Sequence, residues 1–309
     1  MRLFGVELRR LLARRLYWVT ALALLGLLAL IVGQVAVSSR PANAATIAAA
    51  EAESRQLAET ARRDCRLHAP PEQQANCDSL VGPPTDQMIL TFRFVTETEP
   101  FVVGASVMLA LLGFVIGAGF VGAEWSAGTL AHLLTWEPRR LRVLAAKVAA
   151  AALGSGGTAL LITAGYLGAL YTVALTRGSV DGVGSGLIGS LLLLGGRGVL
   201  LTMAAAAGGA AAAALVRSTS GALGLVFGYF VAVELVLRGF FQGIGPWLVA
   251  PHATAWLMRT ARVVTPGPCP TCDPRVITIS MWGGAAYLGG LLLAAVLVAG
   301  LTFRRRDIT

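Results

Sequence analysis

At 309 residues, 56% hydrophobic and 13% charged, with a mean hydropathy of +0.71, the chain is too apolar for a soluble domain, in which about 25% of residues are charged. The formal net charge of +9 would suggest nucleic acid on a soluble surface, but here the basic residues sit beside apolar runs. That placement points to membrane orientation and excludes a nucleic-acid partner.

Residues 1–16 read as a basic amphipathic helix. Phe4, Leu8, Leu11, Leu12 and Leu16 recur at helical spacing while arginines fill the other face, so the segment is expected to lie in the membrane interface. Residues 17–37 form a first span, ~20 apolar residues being enough to cross a bilayer. The basic start and the following Ala42-Asn43-Ala44 imitate a cleavable signal peptide, but the apolar run exceeds the usual h-region, which favours a retained span.

Residues 38–100 are polar, punctuated by proline and richer in acids than in arginines, as an extracytoplasmic loop domain allows. Within them, the Ala, Glu, Gln and Arg content of Ala44 to Arg66 predicts a helix. A second span covers 101–121, with Gly113 and Gly117 at close-packing spacing. The polar stretch 122–147 follows. Thr129 is placed to cap a short helix whose Leu130, Leu133 and Leu134 share one face with His132 off it. Pro138 should stop that helix at Glu137, and a new one should begin at Arg139.

Spans over 143–175 and 186–216 exceed the length a bilayer needs, so they should tilt, kink at Gly154 to Gly157 or project. A fifth span covers 219–238 and a sixth 281–303. Between them, Phe240, Phe241, Trp247, Trp256 and Met258 mixed with Gly, Pro and Arg predict interfacial or re-entrant helices over 239–280. The expected fold is therefore all-α, a polytopic membrane protein with six transmembrane helices, an N-terminal amphipathic interfacial helix and a helical extracytoplasmic loop. It divides into 1–37, 38–100 and 101–309. Arg2, Arg9, Arg10, Arg14, Arg15, Arg139, Arg140, Arg142, Lys147, Arg217, Arg304, Arg305 and Arg306, against Glu7, Glu124, Glu137 and Asp307, fall on one side and account for the whole net charge. The positive-inside bias makes that side, with both termini, cytoplasmic.

The stretch Glu124-Trp125-x-x-Gly128-Thr129-Leu130, then Leu133-Leu134-Thr135, Pro138, Arg139-Arg140, Val143-Leu144 and Ala146-Lys147, resembles the loop between the second and third helices of type 2 ATP-binding-cassette transporter permeases. The ending Phe303-Arg304-Arg305-Arg306-Asp307 and the six-span layout are similar to the family as well, and outer re-entrant helices also occur in it. The resemblance implies that residues 123–142 hold a coupling helix that docks on an ATPase subunit, with Glu124 bracing the loop. It also implies that Glu124, Trp125, Gly128, Thr129, Leu130, Leu133, Leu134, Pro138, Arg139, Arg140 and Lys147 carry that coupling. The partners implied are a cytosolic ATPase, a second permease half and the bilayer of the plasma membrane. ATP and Mg would be held by the ATPase, and none bound directly by this chain.

The remaining chemistry is sparse. All four cysteines fall in predicted outer segments, where oxidation favours disulfides. Cys65 with Cys77 and Cys269 with Cys272 is the simplest pairing, with crosses between the loops open. Cys269-Pro-Thr-Cys272 has no second such pair or His cluster to complete a metal site, so no metal is expected. Among charges inside spans, Glu234 and Arg238 at i, i+4 are expected to pair. Arg197 is either a substrate-path residue or a snorkelling side chain. Gly154 to Gly157 lack the Lys-Ser or Lys-Thr of a P-loop, and neither His-Glu-x-x-His nor Gly-x-Ser-x-Gly occurs, so the chain is not read as an enzyme. The alternative to a permease is a non-transporting scaffold or sensor acting through its outer loop on an extracytoplasmic partner.

Overall fold

Inside a bilayer the backbone must satisfy its own hydrogen bonds, so each long apolar run folds as a helix. The computed structural model describes every residue except 1, 40, 42, 71–73, 75, 90, 130–138, 268–272 and 306–309. Helix α1 (Arg2–Leu12) leads into α2 (Arg15–Ser38), then α3 (Ala44–His68) and the short α4 (Thr85–Met88). Next come α5 (Phe94–Ser126), α6 (Arg140–Arg177), α7 (Ser185–Val216) and α8 (Thr219–Tyr229). The last continues as a π-helix over Phe230–Leu237 and ends in the turn Arg238–Phe240. After a 3₁₀ segment, Gln242–Trp247, come α9 (Val249–Met258), the strands β1 (Thr260–Thr265) and β2 (Arg275–Ser280), and α10 (Met281–Arg305).

Six of the described helices are long and apolar enough to cross a membrane: α2, α5, α6, α7, the Thr219–Phe240 run and α10. The molecule is an all-α polytopic membrane protein carrying one small hairpin. At 1.5 Å per residue, the 38 residues of α6 reach roughly 57 Å, well beyond a ~30 Å hydrocarbon core. That helix is unbroken through Gly154 to Gly157, so no break in the helix takes up the excess.

The chain divides into two compact units. The first comprises Met1–Leu27, Pro100–Gly165 and Ile188–Thr309, and the second Leu28–Glu99 and Tyr166–Leu187. The core of the first is built largely from small residues: Ala118, Ala150, Ala151, Ala210, Ala211, Ala213 and Ala222 are buried with Leu11, Ile116, Phe120, Val121 and Phe303. Without a hydrophobic force between helices in lipid, close backbone approach supplies the packing energy. A Cβ on Gly117 would overlap the carbonyl of Ala206, and one on Gly113 would lie 2.7 Å from the carbonyl oxygen of Thr202. Those glycines are what let α5 and α7 touch.

Within the same unit the 239–280 segment is part helix, part strand. Arg262 pairs with Thr278 and Val264 with Val276 in an antiparallel register. The expectation of interfacial helices throughout is corrected there, because Val263, Val264, Val276, Ile277 and Ile279 favour a pleated surface. Also corrected is the pairing of Glu234 with Arg238. Arg238 N–H donates to the carbonyl of Val233, five residues back. That wider π-turn takes residues four apart out of line; Glu234 bonds elsewhere, and Arg238 is exposed.

In the second unit, α3 begins with a capping box in which Asn43 Oδ1 accepts from Thr46 N and Thr46 Oγ1 accepts from Asn43 N. Its far end is closed by the Cys65–Cys77 disulfide. Arg66 pairs with Asp78 beside it, and Arg62 Nε donates to Leu80 O at 2.9 Å. The Arg66 guanidinium, first by its hydrogen bond and then by its charge, holds the Asp78 carboxyl below the usual carboxylate range. Cys269 and Cys272 lie outside the described residues.

Replacing Gly117 with Val should cost about 1–3 kcal/mol by overpacking, read as a lower melting temperature in detergent. Gly165→Ala, with nothing within 4 Å of the new Cβ, should leave stability unchanged or raise it. Reducing Cys65–Cys77, whose partners are 12 residues apart, should cost about 3 kcal/mol. Limited proteolysis should then cut within 44–90 sooner.

Candidate functional site: a buried ion network joining three helices

Helix α1 is amphipathic with one exception inside its apolar stripe. Phe4, Leu8 and Leu11 share a face, and Glu7 lies in the middle of it. The helix can pack tightly because Leu11 and Leu8 lie over Gly154 of α6, where a Cβ would sit 2.5 Å from Leu11 Cδ2. Tyr17 of α2 adds a hydrogen bond to Gly154 O at 3.2 Å and another to Thr158. Packing of this kind places the Glu7 carboxylate at 0% exposure.

That carboxylate meets Lys147, the only lysine of the chain, on the second turn of α6. Lys147 Nζ lies 2.7 Å from Glu7 Oε2 and 2.5 Å from Glu124 Oε2, with the lysine itself 1% exposed. Glu124, near the C-terminal end of α5, also accepts from Arg14 Nη2 at 2.7 Å. Arg14 Nη1 donates to Gly119 O at 3.1 Å, and Arg10 Nη1 lies 3.1 Å from Glu7 Oε1. Both cations flank the buried Phe120 ring, Arg14 at 4.9 Å and Lys147 at 5.0 Å from its centroid. Two carboxylates, an ammonium and a guanidinium thus answer one another, Glu7 and Lys147 fully enclosed and Arg14 partly exposed, and an aromatic face offsets part of the cations' lost hydration.

Trp125, the next residue, faces the other way. Its ring packs edge-on to Phe303 of α10 at 5.9 Å, and the Arg217 guanidinium lies over it at 5.2 Å. Gly128 then takes φ +68° and its N–H closes on Trp125 O at 3.1 Å, an αL helix end that glycine adopts freely. The Thr129 hydroxyl donates to Glu124 O at 3.4 Å; the helix it is expected to cap lies outside the described residues.

Of the residues singled out in the sequence, Glu124 and Lys147 are brought together. Trp125, Gly128 and Thr129 close the end of α5. Arg139 leads α6, its carbonyl accepting from Arg142 N at 2.9 Å, and Arg140 begins that helix. Leu130, Leu133, Leu134 and Pro138, with His132 and Glu137, lie outside the described residues. Arg197 stands apart from this network: its guanidinium bonds Trp256 O at 3.3 Å and Leu257 O at the end of α9. Among the described residues no three His, Cys, Asp or Glu side chains gather into a metal-binding group.

Glu7 and Arg14 were not visible as site residues in the sequence. The signal for Glu7 was its position, an acid inside the apolar stripe of a helix otherwise lined with arginine. The expected single helix over 1–16 is corrected at its end: α1 stops at Leu12 and the chain turns at Ala13 and Arg14, so Leu16 leaves its register and belongs to α2.

Residues 1–308 match a family described as ABC-2 family transporter protein. The chain belongs to the ABC-2 transporter family. Neither a curated protein nor a solved structure matches it. Membership makes it a multi-pass membrane protein of the permease kind, and it brings an ATP-binding-cassette ATPase and a second membrane half as the general partners of the family. In this ABC-2 protein the residues bordering the second-to-third-helix loop are the ones held by the ion network.

Lys147→Met should leave the Glu7 carboxylate enclosed with only the half-exposed Arg10 beside it and Glu124 with Arg14 alone, and cost about 3–5 kcal/mol. Glu7→Gln combined with Lys147→Met should recover part of that loss, in a double-mutant cycle followed by thermal unfolding. A cycle whose coupling is within error of zero would mean the network carries no stability.

Proposed function

We propose that this chain is one transmembrane half of an ATP-binding-cassette exporter, coupling hydrolysis by a separate cytosolic ATPase to movement of a substrate across the plasma membrane. ATP and Mg²⁺ belong to that partner, and this chain supplies the surface it pushes. The observation that carries the reading is the anchoring of the 127–139 stretch at both flanks. Glu124 precedes it and Lys147 follows it, they bond each other, Lys147 is tied to the first helix through Glu7, and Glu124 to the turn after that helix through Arg14. A push on that stretch is therefore delivered to α5, α6 and α1 as one body, the stiff lever that rocking between two states requires.

The proposed orientation puts both termini and this stretch in the cytoplasm, with 38–100 and 239–280 outside, on the strength of the basic residues flanking the spans. The residues proposed to meet the ATPase are Leu130, Leu133, Leu134, Pro138, Arg139 and Arg140. Glu124, Trp125, Gly128, Thr129 and Lys147 hold the ends of the stretch. A second reading draws on the disulfide-closed helix Ala44–His68: ATPase motion is passed to an extracytoplasmic partner and nothing is transported.

The test is co-purification of the intact protein from mild detergent with ATPase assay, beside Arg139→Ala and Glu124→Ala. A nucleotide-hydrolysing subunit should accompany the native chain and be lost or uncoupled in Arg139→Ala, an exposed position whose change spares the fold. Absence of any ATPase with the native chain sinks the proposal. Deleting 44–90 separates the two readings: transport-coupled ATPase that survives the deletion points to an exporter with an accessory loop.

A further inference from the structure

Helix α9 is ten residues long and lies between the fifth and sixth spans. A helix this short is marginal by itself, and its first N–H and last C=O groups need partners. The residue at its N-cap, Leu248, offers no side-chain acceptor. The donors are satisfied from α8 and its π-continuation instead. Val249 N–H donates to the Tyr229 hydroxyl at 3.2 Å, Ala250 N–H donates to Glu234 Oε1 at 2.9 Å, and the third position is Pro251, which has no N–H. Tyr229 in turn donates to the same Glu234 oxygen at 3.2 Å. Leu248 N–H closes on Gly245 O at 3.3 Å.

At the opposite end, Arg259 takes φ +69° and stops the helix. The carbonyls of Trp256 and Leu257 accept from Arg197 Nη1, which comes from α7. Trp256 Nε1 donates back to the backbone oxygen of Arg197 at 2.9 Å. An acid therefore stands at the positive end of α9 and a guanidinium at its negative end, the arrangement that the helix dipole favours at both. Glu234 Oε2 is enclosed and meets no donor among the described residues, so the helix N-terminus and Tyr229 are what answer this carboxylate. Ten residues at 1.5 Å put the two charges roughly 15 Å apart, too far to form an ion pair.

We propose that Glu234 and Arg197 are positioning residues that clamp α9 electrostatically at its two ends, fixing the short helix to α7 and α8. Glu234 and Arg197, charges inside these spans, thereby each meet one end of a short helix. Along its length α9 also packs on α10, where His252 stacks on Tyr287 at 3.9 Å, and the clamp adds the hold at its two ends. The clamp does not rest on the ATPase reading and can fail or stand without it.

The experiment is hydrogen exchange with mass spectrometry on the full chain in nanodiscs, comparing peptides over 249–258 with those over the α5–α7 contact. Glu234→Gln keeps the shape and an acceptor oxygen but removes the charge. Arg197→Gln removes the guanidinium while the Trp256 bond to the backbone survives. Each should speed exchange over 249–258 roughly tenfold and leave the α5–α7 peptides unchanged, with Arg197→Lys recovering part of the protection. The reversed pair Glu234→Arg with Arg197→Glu keeps the net charge but opposes the dipole at both ends, and it should exceed either single change. Unchanged exchange in the single variants overturns the clamp. So does a reversed pair no worse than the singles, and so does protection lost equally in the α5–α7 peptides.

Discussion

An ammonium group stripped of water must be neutralised at contact distance, and the arrangement at Lys147 follows from that requirement. Two carboxylates reach it, one from α1 and one from α5, and each is steadied by an arginine. Buried charge of this kind costs several kcal/mol per ion before it is repaid, so it is a weak source of stability. It is an exacting source of geometry, because only one placement of the three helices lets all the charges meet. The Gly154 contact with Leu11 and the Tyr17 bond to the same turn hold that placement from the apolar side.

Around this polar centre the unit is divided by how deeply its helices are enclosed. The most apolar windows of α5, α6 and α7 are 44%, 39% and 44% buried, whereas those of α2, the Thr219–Phe240 run and α10 are 17%, 6% and 11%. The inner three are bound by alanine and glycine contacts that tolerate little change. The outer ones present leucine, valine and phenylalanine outward, faces suited to lipid or to the second membrane half of the family.

The spans were legible in the sequence because hydrophobic length is a strong signal, and the α3 helix because its composition is. Glu124 and Lys147 were legible as a motif, but not as a pair. Twenty-three positions separate them, and only the antiparallel run of α5 and α6 brings them together. Glu7 was hidden among arginines, where an acid reads as a solvated residue. The strands at 260–265 and 275–280 are obscured in the sequence because their alternating β-branched residues are short runs set among aromatic, glycine and proline positions. Glu234 and Arg238 misled for a different reason: i, i+4 spacing implies contact only in an α-helix, and the local π-turn removes that premise.

Burial of Lys147 has a chemical corollary. With the single lysine enclosed at 1% exposure, the folded chain presents no side-chain primary amine to solvent, and each of its remaining fixed cations is a guanidinium. Amine-reactive cross-linkers and acylating labels therefore find no side-chain target on the native protein. A reagent that begins to acylate Lys147 would report the parting of α1 from α5 and α6, so this one nitrogen serves as a built-in indicator of whether the three helices remain joined.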